Sequence, residues 1–203
     1  MSDPIANNGS EAGPRAAGAE SLLRKQEETS EMSVTIHIRE ITLDDAEKFL
    51  ALCRHLDQET HFMLLEPDER TLTPDEQRQA LGSLLAGGRS TIFVAEDLER
   101  GELVGYLAIE GGTYRRERRR ATLVIGVLQA CTGQGIGSRL FQEMERWARQ
   151  RGFRRLELTV MVHNQRALAL YLRQGFMIEG LRRQALFVDG RYVDEYYMAK
   201  LLE

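Results

Sequence analysis

Three glycines spaced two residues apart, Gly133, Gly135 and Gly137, separate an apolar run from an amphipathic one. Glycine at that density serves a chain that must turn tightly while leaving its backbone amides bare. Before the glycines, Leu123, Val124, Ile125, Val127 and Leu128 read as a buried strand. After them, Ile136, Leu140, Met144, Trp147 and Ala148 recur at helical spacing. The turn, with Thr132, Gln134, Ile136 and Ser138 around its glycines, therefore opens a helix. Free N–H groups and the positive end of the helix dipole make such a place suited to an anion, for example a pyrophosphate.

Two nucleotide motifs can be weighed against this turn. A nucleoside-triphosphate loop needs Gly, four residues, then Gly-Lys-Ser/Thr, but Gly137 is followed by Ser138-Arg139 and no lysine is placed for a terminal phosphate. A dinucleotide fingerprint wants a third small residue and an acid at the end of the next strand. Gly133-x-Gly135-x-x-Ser138 offers serine there, and Glu157 falls early in its strand.

The flanking elements follow from periodicity and punctuation. Val34 to Ile41 alternates as a first strand, and Thr42-Leu-Asp-Asp starts a helix carrying Ala46, Phe49, Leu50, Leu52, Cys53 and Leu56. His55 and His61 read as surface or half-buried residues, and His61 to Arg70 as a loop of the kind that lines substrate sites. Thr73-Pro-Asp-Glu begins a second helix that stops at Gly87-Gly88. Strands over Thr91–Glu96 and Leu103–Ile109 are joined too tightly to be anything but antiparallel. Arg115 to Arg120 is a basic run, read as a solvated loop. The helix from Gly135 to Arg151 leads to a strand over Leu156–Val162, a right-handed crossover that makes the two strands parallel. Asn164 N-caps the next helix, which ends at Gly175, and Phe176–Leu181 and Tyr192–Ala199 close the sheet around an Asp189-Gly190 hairpin turn. The sum is an α/β fold: a mixed sheet with helices on both faces.

Composition bounds the function. In 203 residues that are 42% hydrophobic, one core is expected, over residues 32–203. Residues 1–31 carry six carboxylates, three basic groups and no aromatic ring, and read as a disordered tail. A net charge of -4 and a pI near 5.7 argue against a nucleic-acid partner. No membrane span or secretory signal is legible, so a cytoplasmic protein is expected. Cys53, Cys131 and four scattered histidines match no metal spacing. Cys131 reads as a small buried residue of the connector rather than a reactive thiol.

A second motif lies downstream. Thr132-Gly-Gln-Gly-Ile-Gly137, followed by Asn164-Gln-Arg-Ala-Leu-Ala-Leu-Tyr-Leu-Arg-Gln-Gly-Phe176, resembles the GCN5-related N-acetyltransferase (GNAT) superfamily in its acetyl-CoA turn and in its Asn-x-x-Ala-x-x-Leu-Tyr helix. The family usually carries Arg or Gln where this chain has Thr132. The resemblance implies a mostly antiparallel sheet of six to seven strands whose central parallel pair is splayed apart. It implies acetyl-CoA as co-substrate, its pyrophosphate on the amides of Gln134 to Gly137 and its pantetheine against the backbone at Ile125 to Val127, within reach of Asn164. It assigns Tyr171 as the donor to the departing sulfur, where the residue type alone would read as a core aromatic.

The acceptor is then a primary amine of a small molecule, amino acid, polyamine or protein N-terminus. A non-catalytic acyl-CoA-binding module is the alternative. No carboxylate occurs between Ala121 and Ala130, so Glu66, Glu96 and Glu110 stay open as bases acting through water. At pH 7 an alkyl amine of pKa near ~10.4 costs roughly 4.6 kcal/mol to deprotonate and an α-amine near ~7.8 about 1, so a weak base suits an α-amine. Relatives are often dimers, which leaves a homodimer open.

Overall fold

Seven strands pair into one sheet in a computed structural model of the chain, which describes residues 35–203. The tail expected over residues 1–31, and Val34 of the first expected strand, lie outside the described residues. The strands are β1 (Ile36–Glu40), β2 (Ser90–Asp97), β3 (Glu102–Gly111), β4 (Arg120–Val127), β5 (Arg155–Met161), β6 (Met177–Val188) and β7 (Arg191–Leu201). Their order is β1-β2-β3-β4-β5-β7-β6, and every neighbouring pair is antiparallel except β4 with β5. That pair needs a crossover, which is helix α3 (Ile136–Gln150). The other helices are α1 (Ala46–Glu59), α2 (Pro74–Ala86) and α4 (Gln165–Arg173).

Residues 91–95 of β2 are all buried, because helices cover both faces of the sheet there. Ile92 and Val94 join Phe49, Leu52, Leu56 and Leu81 of α1 and α2 in one core cluster. Phe93, pointing the other way, meets Trp147 of α3 edge-on at 6.4 Å, and Trp147 stacks on Phe153 at 6.0 Å.

Local chemistry sets the helix ends. Thr73 and Glu76 close a capping box, the Thr73 N–H donating to Glu76 Oε2 at 2.8 Å, with Pro74 in the first turn. Helix α1 does not begin directly after Thr42. A short 3₁₀ turn, Leu43–Asp45, precedes it, and Asp45 accepts from Thr42 N–H at 2.8 Å while both its oxygens accept from Arg39 at 2.7 and 2.8 Å. A single buried carboxylate thus ties β1 to α1.

Two strands depart from the sequence reading. β6 runs on to Val188, where the sequence suggested a link after Leu181; Asp189 and Gly190, at φ 49° and 74°, then form the expected tight hairpin. β6 is an edge strand, and its register shifts between Arg182 and Leu186 with Gln184 at φ 50°. In β4, Val124 is 50% exposed although the apolar run reads as buried. Arg120 and Thr122, on the same face, are exposed too although both pair with β5, so this face of β4 is uncovered along most of its length.

The Arg39 guanidinium holds the Asp45 carboxyl down to about 2, below its ordinary 3.8. A depressed folded-state pKa contributes stability that is complete above the ordinary value and disappears as pH falls through about 2. Asp45→Asn is therefore expected to lower unfolding free energy by about 2 kcal/mol at pH 6, with the gap to wild type narrowing steadily between pH 4 and pH 2, read by urea titration.

Candidate active site

Parallel pairing of β4 with β5 lasts for three positions, Arg120 with Arg155, Ala121 with Leu156 and Thr122 with Glu157. Past Thr122 the strands separate. Leu123 to Val127 stay paired with β3, so the opposite edge of β4 is left facing a cleft of about 1400 Å³. The closed end is held by charge: Glu157, 5% exposed, accepts from Arg155 Nε at 2.5 Å and lies 3.6 Å from Arg120 Nε. This commits Glu157 at the paired end of β4 and β5, before the strands part toward the glycine turn. It plays no part in the dinucleotide pattern.

The glycine turn sits where the cleft is open. Gly133 and Gly135 have φ 82° and 77°, a region costly for residues with a Cβ, and Gly135 caps α3. The first backbone bond of the helix is Arg139 N–H to Gly135 O at 3.1 Å, so the amides from Gly135 to Ser138 have no partner within it. Gly137 serves a different need. A Cβ there would lie 2.9 Å from Leu170 Cδ2, so the glycine lets α4 close against the first turn of α3.

Of the residues expected at the site, Ile125, Val127, Thr132, Gly133, Gly135, Ile136, Gly137, Ser138, Asn164 and Tyr171 all line this cleft. Gln134 does not; its side chain folds back toward Ala130 O at 3.5 Å. The Thr132 hydroxyl donates to Gln129 O at 2.6 Å, closing the connector on itself. Asn164 accepts from Ala167 N–H at 3.1 Å as the cap of α4. Tyr171 is buried between Phe141 and Phe176, with ring centroids 6.0 and 6.2 Å away. Burial alone pushes its phenol pKa up, which keeps it protonated. Cys131 is half-buried on the cleft wall rather than buried in the connector, and desolvation raises its thiol pKa.

The three carboxylates left open as bases lie off the main cleft. Glu96 is held by Arg39 at 2.9 Å and Lys48 at 3.7 Å, Glu110 faces solvent on β3, and Glu66 lines a smaller side pocket. Instead the cleft presents Glu59, Asp189, Asp194 and Glu195. Glu59, the last residue of α1, accepts from Gln129 N–H at 2.7 Å just beyond the end of β4. Glu195 is 8% exposed and holds Arg182 at 2.9 Å. No sequence motif marks these residues; topology gathers them. Above them a strap runs across the cleft, with Phe62 5.3 Å from the His163 ring and His61 3.4 Å from Asp189 of the hairpin.

Against known proteins, residues 46–176 match the model of the acetyltransferase (GNAT) family. The L-amino acid N-acetyltransferase AaaT of Escherichia coli is 36% identical over 105 residues, half of this chain and 63% of that enzyme's length. The crystal structure of a GNAT-family acetyltransferase from Streptococcus pneumoniae superposes with a TM-score of 0.78 at 30% identity, covering 83% of this chain and all of the other. A phosphinothricin acetyltransferase from Sinorhizobium meliloti, solved with acetyl-CoA, shares the fold at 23% identity and a TM-score of 0.70, over 83% of this chain and 89% of that one.

Gly135 and Gly137 are expected to respond differently to alanine. At Gly135 the new Cβ meets nothing within 4 Å, so the loss of stability, about 1 kcal/mol, comes from the left-handed backbone. At Gly137 the methyl collides with the far end of Leu170, and adding Leu170→Ala should recover part of the loss. Urea unfolding of the two single variants and the double variant checks both outcomes.

Proposed function

The chain belongs to the acetyltransferase (GNAT) family, and from that premise we propose that it transfers an acetyl group from acetyl-CoA to the primary amine of a small acceptor, foremost an amino acid. The observation that carries this reading is the parting of β4 from β5 directly beside a helix whose first amides are unpaired. The bare edge of β4 offers the N–H and C=O groups that an amide-bearing arm pairs with, as an added strand would. The amides from Gly135 to Ser138 suit a pyrophosphate. The left-handed backbone at Gly133 and Gly135 forms the turn that presents these amides, and a side chain at either would be strained.

In this reading the residues divide the work. An amine attacking a thioester builds negative charge on the carbonyl oxygen, and a backbone N–H of β4 near Val127, on the cleft wall, is the group we assign to receive it. The departing sulfur needs a proton or a hydrogen bond. Tyr171 reaches it as a phenol because burial keeps it un-ionised, and its raised pKa makes it a hydrogen-bond donor before it is a full acid. On the acceptor side, Glu59, Asp189, Asp194 and Glu195 line the cleft alongside Arg166, Arg173 and Arg191, so an ammonium group is drawn to the carboxylates locally rather than by the cleft as a whole. Glu59, close to the end of β4, is the one we assign to receive its proton through water. The name of the Escherichia coli relative supports an amino acid as acceptor. Free thiols at Cys53 and Cys131 and a CoA thioester donor support a cytoplasmic setting.

Free-thiol release from acetyl-CoA across a panel of L-amino acids, polyamines and short peptides tests the reading. Turnover with at least one amine class is expected; acetyl-CoA binding without thiol release from any of them would make the chain a binding module instead. Tyr171→Phe is expected to lower kcat roughly 10²-fold with acetyl-CoA affinity unchanged. Because burial raises the Tyr171 pKa, its donor form persists to higher pH, and kcat should show no descending limb between pH 7 and pH 10. A limb in that range that Tyr171→Phe abolishes would show the phenol titrating there, against its raised pKa, and an unchanged kcat in Tyr171→Phe would remove Tyr171 from the reaction.

A further inference from the structure

We propose that Arg166 grips the pyrophosphate of acetyl-CoA from helix α4, supplying the positive charge that the glycine turn lacks; the inference rests on the acetyl-CoA reading above. The turn has no free cation of its own. Thr132, Gln134 and Ser138 are neutral, and the first two are engaged within the connector. Arg139, in the first turn of α3, is spent elsewhere, its guanidinium donating to Ile36 O at 2.8 Å. The bare amides from Gly135 to Ser138 thus face an anion with partial charges only.

Arg166 fills that gap from across the cleft. Its Nη2 lies 3.8 Å from where a Cβ on Gly133 would sit, so the guanidinium hangs directly over the turn. It is exposed, lines the cleft, and has no ion pair or hydrogen bond among the described residues. Its place on α4 is also costly to the helix itself. As the second residue of α4 it puts a positive charge at the positive end of the helix dipole, where an acid would be favoured. An arginine held against that bias, beside the glycine turn and without a partner among the described residues, is arranged for a shared anion. A planar guanidinium with two parallel donors matches a phosphate edge, while the amides of α3 take the opposite side. Its footing is firm, because Asn164, two residues before it, caps the first turn of α4.

Arg173 provides the internal control. It lies on the same helix and lines the same cleft, but seven residues further, about 10 Å along the axis. Removing it changes the net charge equally without touching the turn.

The test measures Kd for acetyl-CoA and for acetyl-dephospho-CoA, which keeps the pyrophosphate and lacks the 3′-phosphate, using the full chain. Arg166→Gln is expected to raise both constants tenfold or more, with the loss shrinking as salt rises, and Arg173→Gln to change them less than threefold. Ligand-free Arg166→Gln should unfold at the same temperature as wild type or slightly higher, which separates lost binding from lost folding. Equal affinity of Arg166→Gln and wild type for acetyl-CoA would overturn the proposal. So would a loss confined to acetyl-CoA, which would put the contact on the 3′-phosphate, or an equal loss in Arg173→Gln, which would reduce it to general charge. Failure of wild type to bind acetyl-CoA at all would instead sink the acetyl-CoA reading itself.

Discussion

The structure depends on a pairing that stops. Three parallel positions join β4 to β5, and the fourth is missing. If pairing continued past Thr122, the cleft would close and no backbone edge would remain for a ligand. The break is stabilised on both sides of it. At the closed end, the Glu157 carboxylate satisfies two arginines from the two strands. At the open end, α3 and α4 meet through Leu170 against Gly137, a contact that a single methyl group would obstruct. Sheet and helices therefore agree on one width for the gap.

Within that frame, polar groups divide into those already satisfied and those held in reserve. Asn164, Thr132, Glu59 and Glu157 all have protein partners, and their first role is to fix caps, connectors and strand ends. The amides opening α3 and the Arg166 guanidinium have none among the described residues. Tyr171 belongs to neither group. Its ring is packed as core between two phenylalanines, while its edge reaches the cleft, so the aromatic-core reading and the donor reading describe two ends of one side chain.

Features that depend on a few neighbouring residues were legible in the sequence. The Thr73 capping box, the Asn164 cap, the Asp189-Gly190 turn and the glycine-opened helix each carry their own instruction in four or five residues. The crossover between two apolar strands gave the parallel pair, and with it the fold class. What escaped depends on which strands part and which loops converge. Val124 reads as core because an apolar run does not show which face of its strand stays uncovered. Glu59 sits in an ordinary amphipathic helix and becomes a site residue only because α1 ends beside β4. Where the three candidate carboxylates point was hidden for the same reason: Glu96 faces Arg39, a choice set by the pairing of β1 with β2.

The irregularity in β6 bears on how the chain avoids sticking to other chains. A twelve-residue strand at the rim of a sheet, with Met177, Ile178, Leu181 and Phe187 between 45% and 72% exposed, is a template on which a foreign strand could build. The shift between Arg182 and Leu186, with Gln184 in a left-handed conformation, breaks that template into two short and misaligned halves. Two arginines stand at the break, where an incoming backbone would have to desolvate them. The protein thus keeps the length of hairpin that its cleft requires without offering a continuous seam for aggregation.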